Sequence, residues 1–262
     1  MNVLITGAAS GLGLSTAKMY SANGHNVYSC DIIKPQEESN IKSYKVDVTN
    51  INDIINMKNN MINENIKLDL IINFAGIYDI GSFIEKDLND IKKVFDINLI
   101  GAINVNQIMH ELLVQKGKII IITSEVAPLD PLPFNGIYSV SKKALDAYAQ
   151  SLRQELNLLG QKVITIRPGA FNTKLASGSL DATQKLVDET KLYKKHSRKF
   201  LKIVKMFMGT PQDPNKLAKM VYKVSLRKHP KYIYSKHLNF GLILLNILPK
   251  KMQCFIIKQL LK

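Results

Sequence analysis

Tyr138 and Lys142 stand four residues apart in Tyr138-Ser139-Val140-Ser141-Lys142. On a helix that spacing puts both side chains on one face. An ammonium held near a phenol stabilises the phenolate and draws its pKa, about 10 when unperturbed, toward working pH. Tyr138 then becomes a general acid/base for an alcohol proton. The spacing is not specific by itself, because Tyr232-Ile233-Tyr234-Ser235-Lys236 repeats it. The second copy reads as strand, where the two side chains would not meet as they do on a helix.

A second chemical feature lies at the start of the chain. Thr6-Gly7-Ala8-Ala9-Ser10-Gly11-Leu12-Gly13 joins an apolar run to a helical pattern. Glycines let backbone N–H groups approach a pyrophosphate, and the helix N-terminus adds a favourable dipole. The spacing is Gly-x-x-x-Gly-x-Gly, not the commoner Gly-x-Gly-x-x-Gly. Asp31 follows Gly13 by eighteen residues and closes the next apolar run. An acid there accepts hydrogen bonds from ribose hydroxyls and repels a 2′-phosphate. No Lys or Arg lies inside the loop or directly after Asp31. NAD is therefore the expected cofactor; NADP stays open because Lys34 is near.

The elements that must position these residues alternate. Strands are expected at Val3–Thr6, Val27–Cys30, Ser43–Val46, Leu68–Ile72, Lys118–Ile122 and Val163–Ile166. Helices are expected at Leu12–Asn23, Ile51–Asn65, Leu88–Gln115 and Asn135–Leu159. This order predicts an α/β fold, a Rossmann-type doubly wound parallel sheet in three α/β/α layers and a single domain. The strands are continuous Val/Ile/Leu runs, as expected when both faces are buried. Ligands bind such sheets at the strands' carboxyl ends. Gly7, Asp31, Asp47, Asn73, Ser124 and Pro168-Gly169 all fall there.

With these residues in place, the chain resembles the short-chain dehydrogenase/reductase family from Met1 to about Thr173. The resemblance is carried by the loop Thr6–Gly13, Asp47-Val48, Asn73-Phe74-Ala75-Gly76, Asn98, Ser124, Tyr138 with Lys142, and Pro168-Gly169 with Thr173. It implies an oxidoreductase that interconverts an alcohol and a ketone or aldehyde by hydride transfer. Ser124 would hydrogen-bond the substrate oxygen and Tyr138 would transfer the proton. Lys142 would bind the nicotinamide ribose and lower the Tyr138 pKa, and Asn98 would hold a water in the relay. Gly7, Ser10, Gly11, Leu12, Gly13, Asp31, Asp47, Val48, Asn73, Ala75, Gly76, Pro168, Gly169 and Thr173 would hold the cofactor beside Tyr138 and Lys142. A homodimer or homotetramer is also implied. There is one departure: Ser124 precedes Tyr138 by fourteen residues, one more than is common, and a bulky charged Glu125 follows it. Thr123 is the alternative to Ser124.

Beyond Thr173 the resemblance thins. Residues 174–210 are expected to cover the site as helices or a lid. Phe200, Leu201, Ile203, Val204, Phe207 and Met208 interleave with Lys199, Lys202 and Lys205. Either this apolar face packs on the core, or it walls a lipophilic pocket. Asp213-Pro214 reads as an N-cap with proline at the first helical position, and Tyr232–Ser235 as a further strand. Residues 240–262 form a tail: apolar Phe240–Leu248, then Pro249, then an amphipathic Met252–Leu261 with Lys250, Lys251, Lys258 and Lys262. It is too short to span a bilayer. It either lies on an anionic membrane surface or docks on the domain or a partner subunit. Pro131-Leu132-Pro133-Phe134-Asn135 resembles the same stretch of hydroxysteroid dehydrogenases in the family, which points to a lipophilic substrate.

Composition narrows the remaining classes. The chain has 262 residues and a formal charge of +15. Its lysines are spread over many segments, which reads as biased residue usage, except for seven basic residues and no acid between Lys191 and Lys205. No interleaved aromatic–basic platform marks a nucleic-acid binder. Cys30 and Cys254 form no ligand set, and no histidines pair at helical spacing, so no metal site is expected. No leader peptide is visible, and a cytoplasmic protein, peripheral to a membrane if the tail binds one, is expected. The alternative to an enzyme is a dinucleotide-binding sensor or scaffold without turnover, which the full set of Asn98, Ser124, Tyr138 and Lys142 disfavours.

Overall fold

A computed structural model describes residues 1–207, 212–236 and 239–262, with backbone alone at 174–177 and 207. The strands are β1 (Asn2–Thr6), β2 (Asn26–Asp31), β3 (Ile41–Lys45), β4 (Leu68–Asn73), β5 (Leu113–Ile122), β6 (Lys162–Pro168) and β7 (Ile233–Lys236). They form one parallel sheet in the order β3-β2-β1-β4-β5-β6-β7. The first three strands step outward from β1, and β4 then returns to its other side. That reversal opens a crevice at the carboxyl ends of β1 and β4, where open α/β sheets take their ligands.

The helices are α1 (Gly11–Ala22), α2 (Ile51–Asn63), α3 (Leu88–Phe95), α4 (Gly101–Met109), α5 (Gly136–Leu158), α6 (Lys174–Glu189), α7 (Lys194–Phe207), α8 (Pro214–Ser225), α9 (Phe240–Ile247) and α10 (Lys250–Leu261). Successive residues of one strand enter different cores. Leu4, Ile71 and Ile121 pack on one face with Val105, Met109 and Leu145. Val3, Ile5, Ile72 and Ile120 pack on the other with Ala17, Leu217 and Val221. Burial on both faces is the reason these strands are unbroken apolar runs. A third cluster of Ile80, Phe134, Leu186, Phe200 and Leu261 seats α6, α7 and α10.

The expected helix Leu88–Gln115 is not continuous. After α3 comes a π turn, Asp96–Ile100, then α4 and a 3₁₀ turn, His110–Leu112; the chain is already strand at Leu113. Periodicity misses this break because Leu112 and Leu113 suit either element. Pairing of Leu113 with Leu68, with a register shift before Leu70–Lys118, decides for strand. Tertiary pairing of this kind overrides local propensity. Asp213 caps α8 as its sequence suggests, accepting from Asn215 N at 2.9 Å, with Pro214 at the first helical position. Met208, at the end of the expected amphipathic stretch, and residues to 210 lie outside the described residues.

Candidate active site

The loop after β1 is built for close approach. Gly7 and Gly11 have φ of +67° and +56°, a region that L side chains rarely adopt. A Cβ on Gly13 would stand 2.1 Å from Gly7 O, and one on Gly7 would meet Ala75 N at 2.7 Å. The loop is thereby pressed against Phe74-Ala75. Ser10 is the N-cap of α1 but makes no side-chain capping bond, and the first turn holds no acid. The backbone N–H groups there are left for an anion. These features fit a dinucleotide pyrophosphate.

Asp31 ends β2 beside this loop, and its Oδ2 accepts from Ala9 N at 3.0 Å. Lys34 turns away to Glu37, 2.9 Å distant. Asp47 accepts from Thr49 N and Oγ1. Val48 packs where a Cβ on Gly101 would come within 2.5 Å of it. Gly7, Ser10, Gly11, Leu12, Gly13, Asp31, Asp47, Val48, Ala75, Gly76, Ser124, Tyr138, Lys142, Pro168, Gly169 and Thr173 all line one cleft of about 1340 Å³. A pocket for one small ligand is roughly 300–1,000 Å³, so this volume admits a dinucleotide together with a second molecule.

Two expected site residues stand behind the wall. Asn73 donates to Asn106 Oδ1 at 2.8 Å, and Asn106 donates to Tyr148. Asn98, fully buried in the π turn, donates to Ile77 O (2.9 Å) and Ser141 Oγ (3.0 Å) and accepts from Ile77 N (2.7 Å). Its amide thus clamps the loop after β4 to the helix of Tyr138.

Ser124 and Tyr138 line the same cleft, and the Ser124 hydroxyl favours the ionised form of the phenol. Thr123 is turned the other way, donating to Asp146 Oδ1 at 3.1 Å, and Asp146 is held by Arg167 at 2.6 Å. Phe134, in the left-handed region at φ +66°, shapes the entry to α5. Its carbonyl accepts from Gly81 N at 2.8 Å and its ring packs on Tyr193 and Phe200. That packing holds the first turn of α5, which carries Tyr138.

The electrostatics differ from the simple expectation. Burial pushes the Tyr138 phenol up to about 12, against the pull of Ser124 and aided by Glu125. Burial also brings Lys142 down to about 8. The Lys142 ammonium lies 6.0 Å from the Tyr138 ring centroid and donates to Ile122 O at 3.3 Å. In the protein alone, desolvation outweighs any help from the lysine. The second Tyr-x-x-x-Lys copy is confirmed as non-helical, with Tyr232 at the foot of β7 beneath the Arg153 guanidinium.

Two residues of the site left no sequence signal for a role. Tyr78 packs edge-on against Tyr138, ring centroids 4.8 Å apart. Asn239, just before α9, donates its N–H to Glu125 Oε2 at 2.6 Å. The apolar half of the cleft comes from α7, α9 and α10 through Phe200, Ile203, Val204, Leu242, Leu245, Ile257 and Leu261, with Leu248 from the turn between α9 and α10.

Comparison with known proteins agrees with this architecture. The family model for short chain dehydrogenases matches residues 1–184. A 3-ketodihydrosphingosine reductase from Bacteroides thetaiotaomicron is 29% identical over 88% of this chain and 85% of its own length. An NADPH-dependent 1-acyldihydroxyacetone phosphate reductase from Schizosaccharomyces pombe is 31% identical over 73% of this chain and 67% of its own. A crystal structure of a short chain dehydrogenase family protein from Francisella tularensis superposes with a TM-score of 0.74 at 25% identity, covering 89% of this chain and 96% of that one. The glycine cradle, the Ser124–Tyr138–Lys142 wall and the matching family model lead to one identification: the chain belongs to the short chain dehydrogenase family and is an oxidoreductase.

Proposed function

We propose that this protein reduces the ketone of a long-chain, lipophilic substrate, with NADH preferred over NADPH. The observation that carries the reading is the composition of the cleft. Ser124, Tyr138 and Lys142 stand on one wall, and apolar side chains of α7, α9 and α10 form the rest of the substrate end. The two relatives are named for keto compounds, one with a sphingoid chain and one with an acyl group.

A bound nicotinamide would supply the hydride for the carbonyl carbon. The Ser124 hydroxyl orients the carbonyl oxygen. As the C=O π bond breaks, Tyr138 delivers its proton to that oxygen and the alcohol leaves neutral. A phenol near 12 stays protonated at neutral pH and is still acidic enough to give its proton to a developing alkoxide. Lys142, near 8, would take its place at the nicotinamide ribose and restore the proton to Tyr138. Asp31 would accept from the adenosine ribose hydroxyls. Gly7 to Gly13 would hold the pyrophosphate.

The test is NADH oxidation with a panel of long- and short-chain ketones. Long-chain ketones are expected to be turned over, with Y138F abolishing turnover while NADH still binds. Full activity in Y138F, or no reduction of any long-chain ketone, rejects the reading.

A second reading rests on α9 and α10, and places the protein peripherally on a membrane. Phe240, Ile247 and Phe255 are 82%, 74% and 61% exposed. Leu244 and Leu260 are exposed and also line the cleft, so its apolar end opens among them. Lys250, Lys251, Lys258 and Lys262 accompany this surface. Exposed apolar side chains with lysines suit the interface of an anionic bilayer, from which a lipophilic ketone would enter.

A further inference from the structure

Glu125 is a charged residue for which the reaction so far has no use. It follows Ser124 directly, and its N–H donates to Pro168 O at 2.9 Å, which ties it to the loop Pro168–Gly169. Its side chain is half-buried and lines the same cleft as Ser124 and Tyr138. One carboxylate oxygen accepts from Asn239 N at 2.6 Å. Among the described residues, no Lys, Arg or His lies within ion-pair distance of it.

A half-buried carboxylate with no cation beside it among the described residues is unfavourable in the empty protein. Burial does push its pKa up, and its charge makes the neighbouring phenol harder to ionise. A carboxylate so placed becomes favourable when the ligand brings the counter-charge. It also repels a phosphate or carboxylate brought to the same place.

We propose that Glu125 is a specificity residue that binds a protonated amine on the carbon next to the reacting carbonyl, so that the substrate is a long-chain α-amino ketone. Ser124 and Glu125 are consecutive and both line the cleft, so the amine proposed for Glu125 lies near the carbonyl proposed for Ser124. The bound ammonium donates to the Glu125 carboxylate while the carbonyl oxygen accepts from Ser124. It also cancels the charge that Glu125 presents to Tyr138. The chain runs on into the apolar space formed with Leu242 and Leu245. The inference rests on the ketone-reductase reading above.

The test compares two synthetic ketones of equal chain length, one with a 2-amino group and one with hydrogen there, in NADH-dependent turnover by wild type and E125Q. Glutamine keeps an oxygen for Asn239 N and removes the charge. Wild type is expected to favour the amino ketone, and E125Q to lose that preference by roughly 10- to 100-fold in the ratio of kcat/KM, the range for a charge-assisted hydrogen bond. A general folding defect lowers both rates and leaves the ratio unmoved. If wild type turns over the hydrogen analogue and E125Q leaves the ratio unchanged, the Glu125 assignment alone is overturned. If wild type turns over neither ketone, the parent reading fails and the assignment falls with it.

Discussion

Lys142 Nζ lies 6.0 Å from the centroid of the Tyr138 ring, and both groups are buried at the carboxyl edge of the sheet. A Cβ on Gly76 would stand 3.1 Å from Asn98 Oδ1 and 3.3 Å from that ammonium, so a side chain there would crowd both. The geometry separates two effects that a motif merges. Four-residue spacing brings the side chains to one helix face, while burial moves both pKa values toward the neutral forms.

Lys142 therefore leaves a mark on pH-dependent stability. Its folded pKa, about 8, is below the unfolded 10.5. Between those values the unfolded chain holds more protons, so stability rises with pH. Relative to K142M, wild type is expected to gain roughly 2 kcal/mol between pH 8 and 10. Urea denaturation of both proteins across that range checks it, and a constant difference contradicts the buried, depressed lysine.

Asp31 should control the choice of dinucleotide. D31A removes the repulsion of a 2′-phosphate and the ribose acceptor together. The kcat/KM ratio of NADPH to NADH is expected to rise by at least about tenfold, the equivalent of one modest charge interaction. Wild-type preference for NADPH would contradict the role given to Asp31. Because Asp31 also holds Ala9 N, the ratio is the quantity to read, not either rate.

Gly13 tests the cradle. The Cβ of alanine would fall 2.1 Å from Gly7 O, backbone that cannot swing aside. G13A is expected to weaken NADH binding by more than about tenfold in fluorescence titration, since the loop must open to relieve the overlap. Wild-type affinity in G13A would show that the loop does not hold the pyrophosphate.

Ile247 and Phe255 test the membrane surface without touching the cleft. Neither lines it, and both are exposed. The double substitution I247S/F255S should reduce sedimentation with anionic liposomes and leave the melting temperature within a few degrees. Equal sedimentation of the two proteins would reject the membrane role of α9 and α10.

Much of the site was legible because its residue types serve backbone geometry. Gly7, Gly11 and Gly13 mark a strand-to-helix turn that excludes side chains, and Asp31 and Ser124 end buried strands. Asn98 was legible only through resemblance: nothing local says that its amide clamps Ile77 to Ser141. The break after Met109 was hidden for a similar reason, since Leu112 and Leu113 serve a helix face as well as a strand. Tyr78 and Asn239 carried no signal, because their partners lie 60 and 114 residues away in the chain.

By itself the sequence determined the parallel sheet, the edge where ligands are expected and the choice of Tyr138 and Lys142 as the proposed proton-transfer pair. Burial on two faces demands unbroken apolar strands, and the turns after them demand glycine and short polar residues. Tertiary structure decided the protonation of that pair, the commitment of Thr123 to Asp146, the placing of Asn73 and Asn98 behind the cleft wall, and the placing of Glu125 before the substrate space. Desolvation and long-range hydrogen bonds depend on what other segments bring within a few ångströms, and residue spacing along the chain does not encode them.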